Sequence, residues 1–401
     1  MPVPELSRRL ALLAGATFAA GFAPRHRAKA LAPAAAPPPP ATPGQTPLGP
    51  VDTVAREAYI LDFETNTTLF DKAADDRMTP SSLTKLMTAY LVFSALAAGR
   101  TTLTTEFPVS EKAWRMGGSK MFVPYPGSVA VADLIRGMII QSGNDACIVL
   151  AEGISGSEDQ FVVRMNDQAT KFGLKTTHFV NCTGWPDPVH YSSARDIATI
   201  ARHLIADYPQ YYHFFSEKDF TFNNIHQGNR NTLVDSGIAD GLKTGHTEAG
   251  GYGECSSAQR EGRRVIVVLN GMVTMNQRAH ETERMLEWAL SSFENVKFLS
   301  KGQVVDHAPV YLGTAPDVPL VGAANEVLTL PHGWRKSASL EVVYASPVPA
   351  PVRAGEKLGV LKLSGGPLPT VTLDLLAGTS VPALPVTQRA LRSLSHLITG
   401  A

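Results

Sequence analysis

Ser82 and Lys85 lie three residues apart in the stretch Pro80-Ser81-Ser82-Leu83-Thr84-Lys85-Leu86-Met87-Thr88. Positions i and i+3 share a helix face, so a helix beginning at the serine brings the lysine nitrogen towards the hydroxyl oxygen. Leu83, Leu86, Met87, Tyr90, Leu91 and Phe93 make the run 82–96 apolar nearly all round, which predicts a buried helix. Burial disfavours the charged form of lysine, and the neutral amine can then take the serine proton. Ser82 reads as a nucleophile, with Lys85 as its base. Thr79-Pro80 places the helix start where a capping serine belongs. Two more motifs follow in order: Ser142-Gly143-Asn144, read as a turn into a helix, and Lys243-Thr244-Gly245, read as a strand end. Each is commonplace alone. Beyond residue 30 no second copy of any of the three patterns occurs, and their joint order carries the signal.

The elements that must position these groups are legible from periodicity. Runs at 58–61 and 67–69, separated by Glu64-Thr65-Asn66, predict a β-hairpin. Segments 133–141 and 144–152 have helical spacing, and Ser193-x-x-Asp196 predicts a capping box for a helix running to Ile205. Strands are expected at 252–258 and 264–269 across the turn Arg260-Glu261-Gly262, with a helix over 281–293. A mixed α/β domain is thus predicted for 51–298. From about residue 302 short strands punctuated by glycine and proline predict a small all-β domain over 302–381.

The chain has 401 residues, enough for two or three domains, and 36 basic residues balance 36 acidic ones. That balance excludes a global attraction to nucleic acid. Cys147, Cys182 and Cys255 stand far apart without a C-x-x-C pair, which predicts buried thiols and neither a metal site nor a disulfide framework. Arg8 and Arg9 precede the apolar run 10–23, too short to span a bilayer, and Ala28 and Ala30 offer a cleavage site. Residues 1–30 therefore read as an export signal, and the Ala/Pro-rich residues 31–50 as a tether. Residues 382–401 carry Val386, Ala390, Leu391, Leu394, Leu397 and Ile398 at helical spacing, with Arg389, Arg392 and His396 and no acid. This is the pattern of an amphipathic helix able to lie on a membrane, or to dock on its own domain.

With its three motifs the chain resembles the serine D,D-peptidases of the penicillin-binding protein and β-lactamase superfamily. Gln141-Ser142-Gly143-Asn144-Asp145-Ala146-Cys147, Tyr191-Ser192-Ser193-Ala194-Arg195-Asp196 and Gly241-Leu242-Lys243-Thr244-Gly245-His246-Thr247 narrow the resemblance to the low-molecular-mass D-alanyl-D-alanine carboxypeptidases. The resemblance implies a penicillin-binding α/β domain followed by a small β domain, and often a C-terminal amphipathic anchor. It implies Ser82 as the acylated nucleophile, Lys85 as base, Ser142 as a proton relay to the departing amine and Asn144 as a partner of the substrate amide. Lys243 would supply positive charge, Thr244 would bind the terminal carboxylate with Gly245 beside it, and the backbone amides of Ser82 and His246 would form the oxyanion hole. Arg278, in Asn276-Gln277-Arg278, matches an arginine that helps hold the carboxylate, though more loosely. Implied ligands are the peptidoglycan stem pentapeptide and β-lactam antibiotics as covalent inhibitors, with no cofactor. The implied setting is the periplasm, at most peripheral on the outer face of the cytoplasmic membrane.

Thr183 stands where some members carry a histidine, and Asp187 and His190 in the same Pro-rich loop read as turn-formers. A class A β-lactamase would need an E-x-x-x-N element between the second and third motifs. Glu152, Glu158 and Glu217 are followed four residues on by Gly156, Val162 and Thr221, so the element is missing. D,D-endopeptidase action on crosslinked peptide and a noncatalytic wall-binding role remain as alternatives.

Overall fold

The computed structural model describes residues 42–365 and 370–390. The first domain is built on an antiparallel five-stranded sheet. Its strands, in chain order, are β3 (Glu57–Asp62), β4 (Thr68–Lys72), β9 (Gly241–Thr247), β10 (Gly251–Arg260) and β11 (Arg263–Met272), in the spatial order β4-β3-β11-β10-β9. Short pairs β1 (Thr42–Gly44) with β2 (Val51–Thr53), β5 (Glu106–Pro108) with β6 (Ser128–Ala130), and β7 (Asp219–Phe222) with β8 (Ile225–Gly228) lie outside it. Period-two alternation sorts the sheet residues between two cores. Tyr59, Leu61, Ile266 and Val268 face a helical layer. Ala58, Ile60, Val265 and Val267 face the other side, against Met285, Leu286 and Ala289 of the last helix.

The helical layer comprises α1 (Lys85–Ala97), α2 (Glu111–Arg115), α3 (Val131–Ile139), α4 (Asn144–Ser155), α5 (Glu158–Lys171) and α6 (Ala194–Asp207). A short α7 (Thr232–Asp235) precedes β9, and α8 (Met275–Ser292) covers the opposite face. All of α1 except Ser94 and Ala97 is buried, so the all-round apolar pattern has its expected cause. Phe93 at its centre meets the rings of Tyr211, Phe214 and Phe215, and burying one such ring contributes roughly 1.5–3 kcal/mol. Between β10 and β11 Glu261 and Gly262 both have positive φ (51° and 82°), the two-residue turn that matches strand twist.

The second domain is all β: β12 (Phe293–Leu299) pairs with β15 (Glu326–Pro331). A six-stranded sheet has the order β16-β18-β19-β14-β13-β17, from β13 (Val304–Tyr311), β14 (Asp317–Gly322), β16 (Ser339–Tyr344), β17 (Val348–Pro349), β18 (Lys357–Ser364) and β19 (Val371–Ala377). The two-class layout, α/β then all-β, is the predicted one.

Four boundaries differ from the sequence reading. Residues 42–50, assigned by composition to the tether, belong to the folded body: β1 pairs with β2, Gln45 and Asp71 exchange backbone hydrogen bonds, and Gly44 lies against the Phe70 ring, where a Cβ would clash. Residues 293–299 continue no helix but form β12 and pair within the second domain. Helix α8 begins six residues before the expected Glu281, because Thr274 Oγ1 accepts from Gln277 N and Gln277 Oε1 accepts from Val273 N. Residues 382–384 pair back onto the second domain, with Thr314 N donating to Pro382 O and Leu384 N to Leu312 O. The export signal, most of the tether and residues 391–401 of the expected C-terminal helix lie outside the described residues. Residues 386–390 are helical and exposed.

Candidate active site

Ser82 sits in a single 3-10 turn, Ser81–Thr84, that runs directly into α1. The expected capping role is absent: the turn starts at Pro80 and has no side-chain cap, which leaves the serine hydroxyl for Lys85. Ser81 is held at φ 51°, a sparsely populated conformation for serine that redirects the chain just before Ser82. Its hydroxyl is anchored on Thr247 Oγ1 at 3.0 Å. Ser82 is half-buried and lines a cleft with two lobes of about 500 and 720 Å³.

Lys85 is fully buried. Its Nζ donates to Ser82 Oγ (3.0 Å), Asn144 Oδ1 (2.8 Å) and Thr183 O (2.6 Å), all neutral acceptors. Burial pushes its pKa below the ordinary lysine value, with only weaker pulls from neighbouring groups. The donor inventory fixes what the neutral amine would do. Thr183 O can only accept, and Asn144 Oδ1 is held towards Lys85 because Asn144 Nδ2 donates to Gly117 O at 2.9 Å. The two remaining N–H groups are thereby claimed. The lone pair is left facing Ser82, the single partner of the three with a proton to give.

Ser142 occupies the turn between α3 and α4 at φ 63°. Its Oγ is buried, has no hydrogen-bond partner among the described residues, and lines the cleft beside Ser82. The start of α4 is tied to the 121–123 segment by Asp145, whose carboxylate accepts from the backbone N–H groups of Met121, Phe122, Val123 and, in α4 itself, Ala146. Cys147, one turn into α4, donates its thiol to Gly143 O at 3.2 Å.

The third motif lies on β9, the sheet edge beside the Ser82 turn. A Cβ on Gly245 would stand 3.2 Å from Pro80 O and 3.3 Å from Ser81 Cβ, so the absence of a side chain allows this approach. Thr244, Gly245 and His246 line the cleft. The His246 ring stacks on Tyr252 with centroids 3.9 Å apart, and burial lowers its pKa. Lys243 is buried, with Nζ donating to Thr244 O at 3.1 Å. Burial, then Lys85 and Arg230, push its pKa well below the ordinary value.

Arg278 is buried on the first turns of α8 rather than lying on the surface, and it reaches the cleft. It pairs with Glu254 at 3.0 Å. Burial pushes the Glu254 carboxyl up to about 7 against the opposing pull of Arg278. Sequence reasoning singled out neither Glu254 nor Arg230, which lines the cleft beside Arg278 and donates to Ser119 Oγ at 2.7 Å. Both lie outside the short motifs. His190 is buried, with Nε2 bonded to Thr84 Oγ1 (2.8 Å) and Val180 N donating to Nδ1, and burial lowers it to about 4. It is structural, and Asp187 closes a turn, as expected of this loop.

A buried lysine thus lies 3.0 Å from a half-buried serine, and that serine shares one cleft with Ser142 and the guanidinium groups of Arg230 and Arg278. The D-alanyl-D-alanine carboxypeptidase family model matches residues 43–274, and that of the penicillin-binding protein 5 C-terminal domain matches 293–383. D-alanyl-D-alanine carboxypeptidase DacA of Haemophilus influenzae is 38% identical over 82% of this chain and 86% of its own length. The crystal structure of penicillin-binding protein 5 from the same organism superposes with a TM-score of 0.72 at 36% identity, covering 85% of this chain and 99% of that one. Penicillin-binding protein D2 of Listeria monocytogenes, in its ampicillin-bound form, matches at a TM-score of 0.53 and 29% identity over 58% of this chain and 96% of its own. The chain belongs to the D-alanyl-D-alanine carboxypeptidase family.

Proposed function

We propose that this chain is a serine-type carboxypeptidase that removes the terminal D-alanine from peptidoglycan pentapeptides through an acyl-enzyme on Ser82. The observation that carries the residue roles is the Lys85 Nζ to Ser82 Oγ contact of 3.0 Å in a fully buried setting whose other partners are neutral. Ser82 Oγ attacks the carbonyl of the penultimate residue while Lys85 takes its proton. Backbone N–H groups of Ser82 and His246 stabilise the oxyanion. Ser142, whose hydroxyl has no partner among the described residues, passes a proton to the departing amine, the C–N bond breaks, and D-alanine leaves. Water then attacks the ester, with Lys85 again as base, and frees Ser82. Asn144 orients Lys85 and the substrate amide, and Lys243, Thr244 and Arg278 receive the terminal carboxylate.

A β-lactam meets the same attack, but its leaving amine stays tethered in the acyl-enzyme. Endopeptidase action would use the same site with a different leaving group. The basic and then apolar start of the chain supports export, and the basic amphipathic pattern after Pro385 supports peripheral attachment to an anionic leaflet. No helix among the described residues is long and apolar enough to cross a membrane.

Mass spectrometry of the products from a pentapeptide tests the reading: loss of one alanine is expected. Ser82→Ala should abolish both that loss and covalent penicillin labelling. A Ser82→Ala protein that still labels contradicts the assignment, and cleavage confined to a crosslinked dimer would favour the endopeptidase.

A further inference from the structure

Arg278 offers five N–H donors in a planar fork, and two of its edges are already committed. Nε faces the Glu254 carboxylate at 3.0 Å, and Nη2 donates to the backbone oxygen of Arg230 at 3.1 Å. That leaves the Nη1 side of the fork for the cleft, which Arg278 lines with Thr244. Glu254 lies on β10 directly opposite Thr244 on β9, so the two side chains leave the sheet on the same face. Unlike Thr244, Glu254 is 1% exposed and does not line the cleft.

A buried carboxylate so close to a carboxylate-binding site would repel the substrate unless it acted on the arginine instead. Its surroundings hold it to that task. Ser256, two residues along β10, donates to Glu254 Oε1 at 2.7 Å. Asn231 Nδ2 donates to Ser256 Oγ at 3.0 Å while Asn231 Oδ1 caps α7 through Leu233 N. Hydrogen bonds thus run from the start of α7 through Ser256 to Glu254 on β10, and the Glu254 carboxylate in turn forms an ion pair with the guanidinium on α8.

We propose that Glu254 is a positioning residue, which orients the Arg278 guanidinium so that its free edge meets the terminal carboxylate of the substrate. The proposal rests on the reading of Arg278 as a carboxylate receptor. Nothing in the reaction requires Glu254 to touch substrate. Its action is geometric, so an uncharged acceptor of the same shape should serve. Glutamine can keep an acceptor oxygen beside Arg278 Nε and donate to Ser256 Oγ with its amide.

The test compares kcat/KM for one stem peptide ending in a free carboxylate with that for the same peptide amidated at its C-terminus. The acid-to-amide ratio is internal to each preparation, so a partly unfolded variant does not distort it. For Arg278→Ala and Glu254→Ala alike we expect that ratio to fall by roughly ten- to thirtyfold, as loss of a charge-assisted contact implies. For Glu254→Gln it should stay within about threefold of the parent, since the acceptor is retained. If Arg278→Ala leaves the ratio unchanged, the receptor reading fails and the proposal with it. If Arg278→Ala lowers the ratio and Glu254→Ala does not, the receptor stands and the positioning role is wrong. A Glu254→Gln protein as defective as Glu254→Ala would assign the effect to charge and overturn positioning by geometry.

Discussion

At the residue scale the chemistry turns on protons that burial has loosened. Lys85 can act as a base only when neutral, and its pKa lies below the ordinary lysine value because burial penalises the ammonium. Acylation by a β-lactam should therefore fall as pH falls through that lowered value, and a rate that stays flat down to the carboxylate range would contradict the assignment. His190 supplies a separate pH effect, on stability. Its folded-state pKa of about 4 lies below the unfolded value of 6.5, so below 6.5 the unfolded chain takes up a proton that the folded one refuses. Stability should thus drop as pH falls from about 6.5 to 4, by about 3 kcal/mol in all, and His190→Gln should flatten that part of a Tm-against-pH curve. That Ser82, Lys85, Ser142 and the third motif meet at one cleft was legible because each lies in a short local pattern. Glu254 and Arg230 were not, because their roles depend on strand register and on the approach of α8, and neither leaves a local pattern.

At the element scale, close approaches rather than long interfaces set the site. Gly184, at φ 82°, lies so near the Ser82 turn that a Cβ would fall 1.7 Å from Ser81 O. The adjoining Thr183 supplies the carbonyl that holds Lys85. Gly184→Ala should therefore displace the 181–185 loop and lower the acylation rate by about a hundredfold or more, the scale set by misplacing a catalytic group by an ångström. Acylation within a few-fold of the parent would show that this carbonyl is dispensable. Most helices could be read from the sequence, yet α5 was not. Its apolar face consists of Phe161, Met165 and Ala169 among polar residues, too sparse a stripe to stand out, although Ser157 caps it through Gln160 N. Strand β12 was hidden for a related reason: it follows α8 without an intervening turn, and Phe293 also continues the helical spacing.

At the scale of the whole molecule the two domains share a partly buried polar seam. Asp62 accepts from Arg263 Nε (2.8 Å) in the first domain and from Asn295 Nδ2 (3.1 Å) on β12. Arg263 also reaches Phe293 O, and Thr65 and Thr329 join hydroxyls across the same seam. None of the seam residues lines the cleft. Because residues 382–384 are hydrogen-bonded to the second domain, the tail can be cut only beyond Pro385 without opening that ladder. We expect removal of residues 386–401 to leave turnover intact and to abolish sedimentation with anionic liposomes at low salt. Unchanged sedimentation would refute the attachment, and lost turnover would show that the tail packs on the catalytic body.

The three thiols make the chain its own stopwatch for opening. Cys147, Cys182 and Cys255 are wholly buried in α4, in the loop that steadies Lys85 and in β10. Burial pushes Cys147 up to about 12 and raises Cys182 and Cys255 as well, so none is a thiolate near neutral pH while the fold is shut. An alkylating reagent can mark each one only in the moments when its own neighbourhood parts. The order in which they are marked would report whether the loop, the helix or the sheet gives way first. Acylating Ser82 before the pulse would show how much an occupied site slows each.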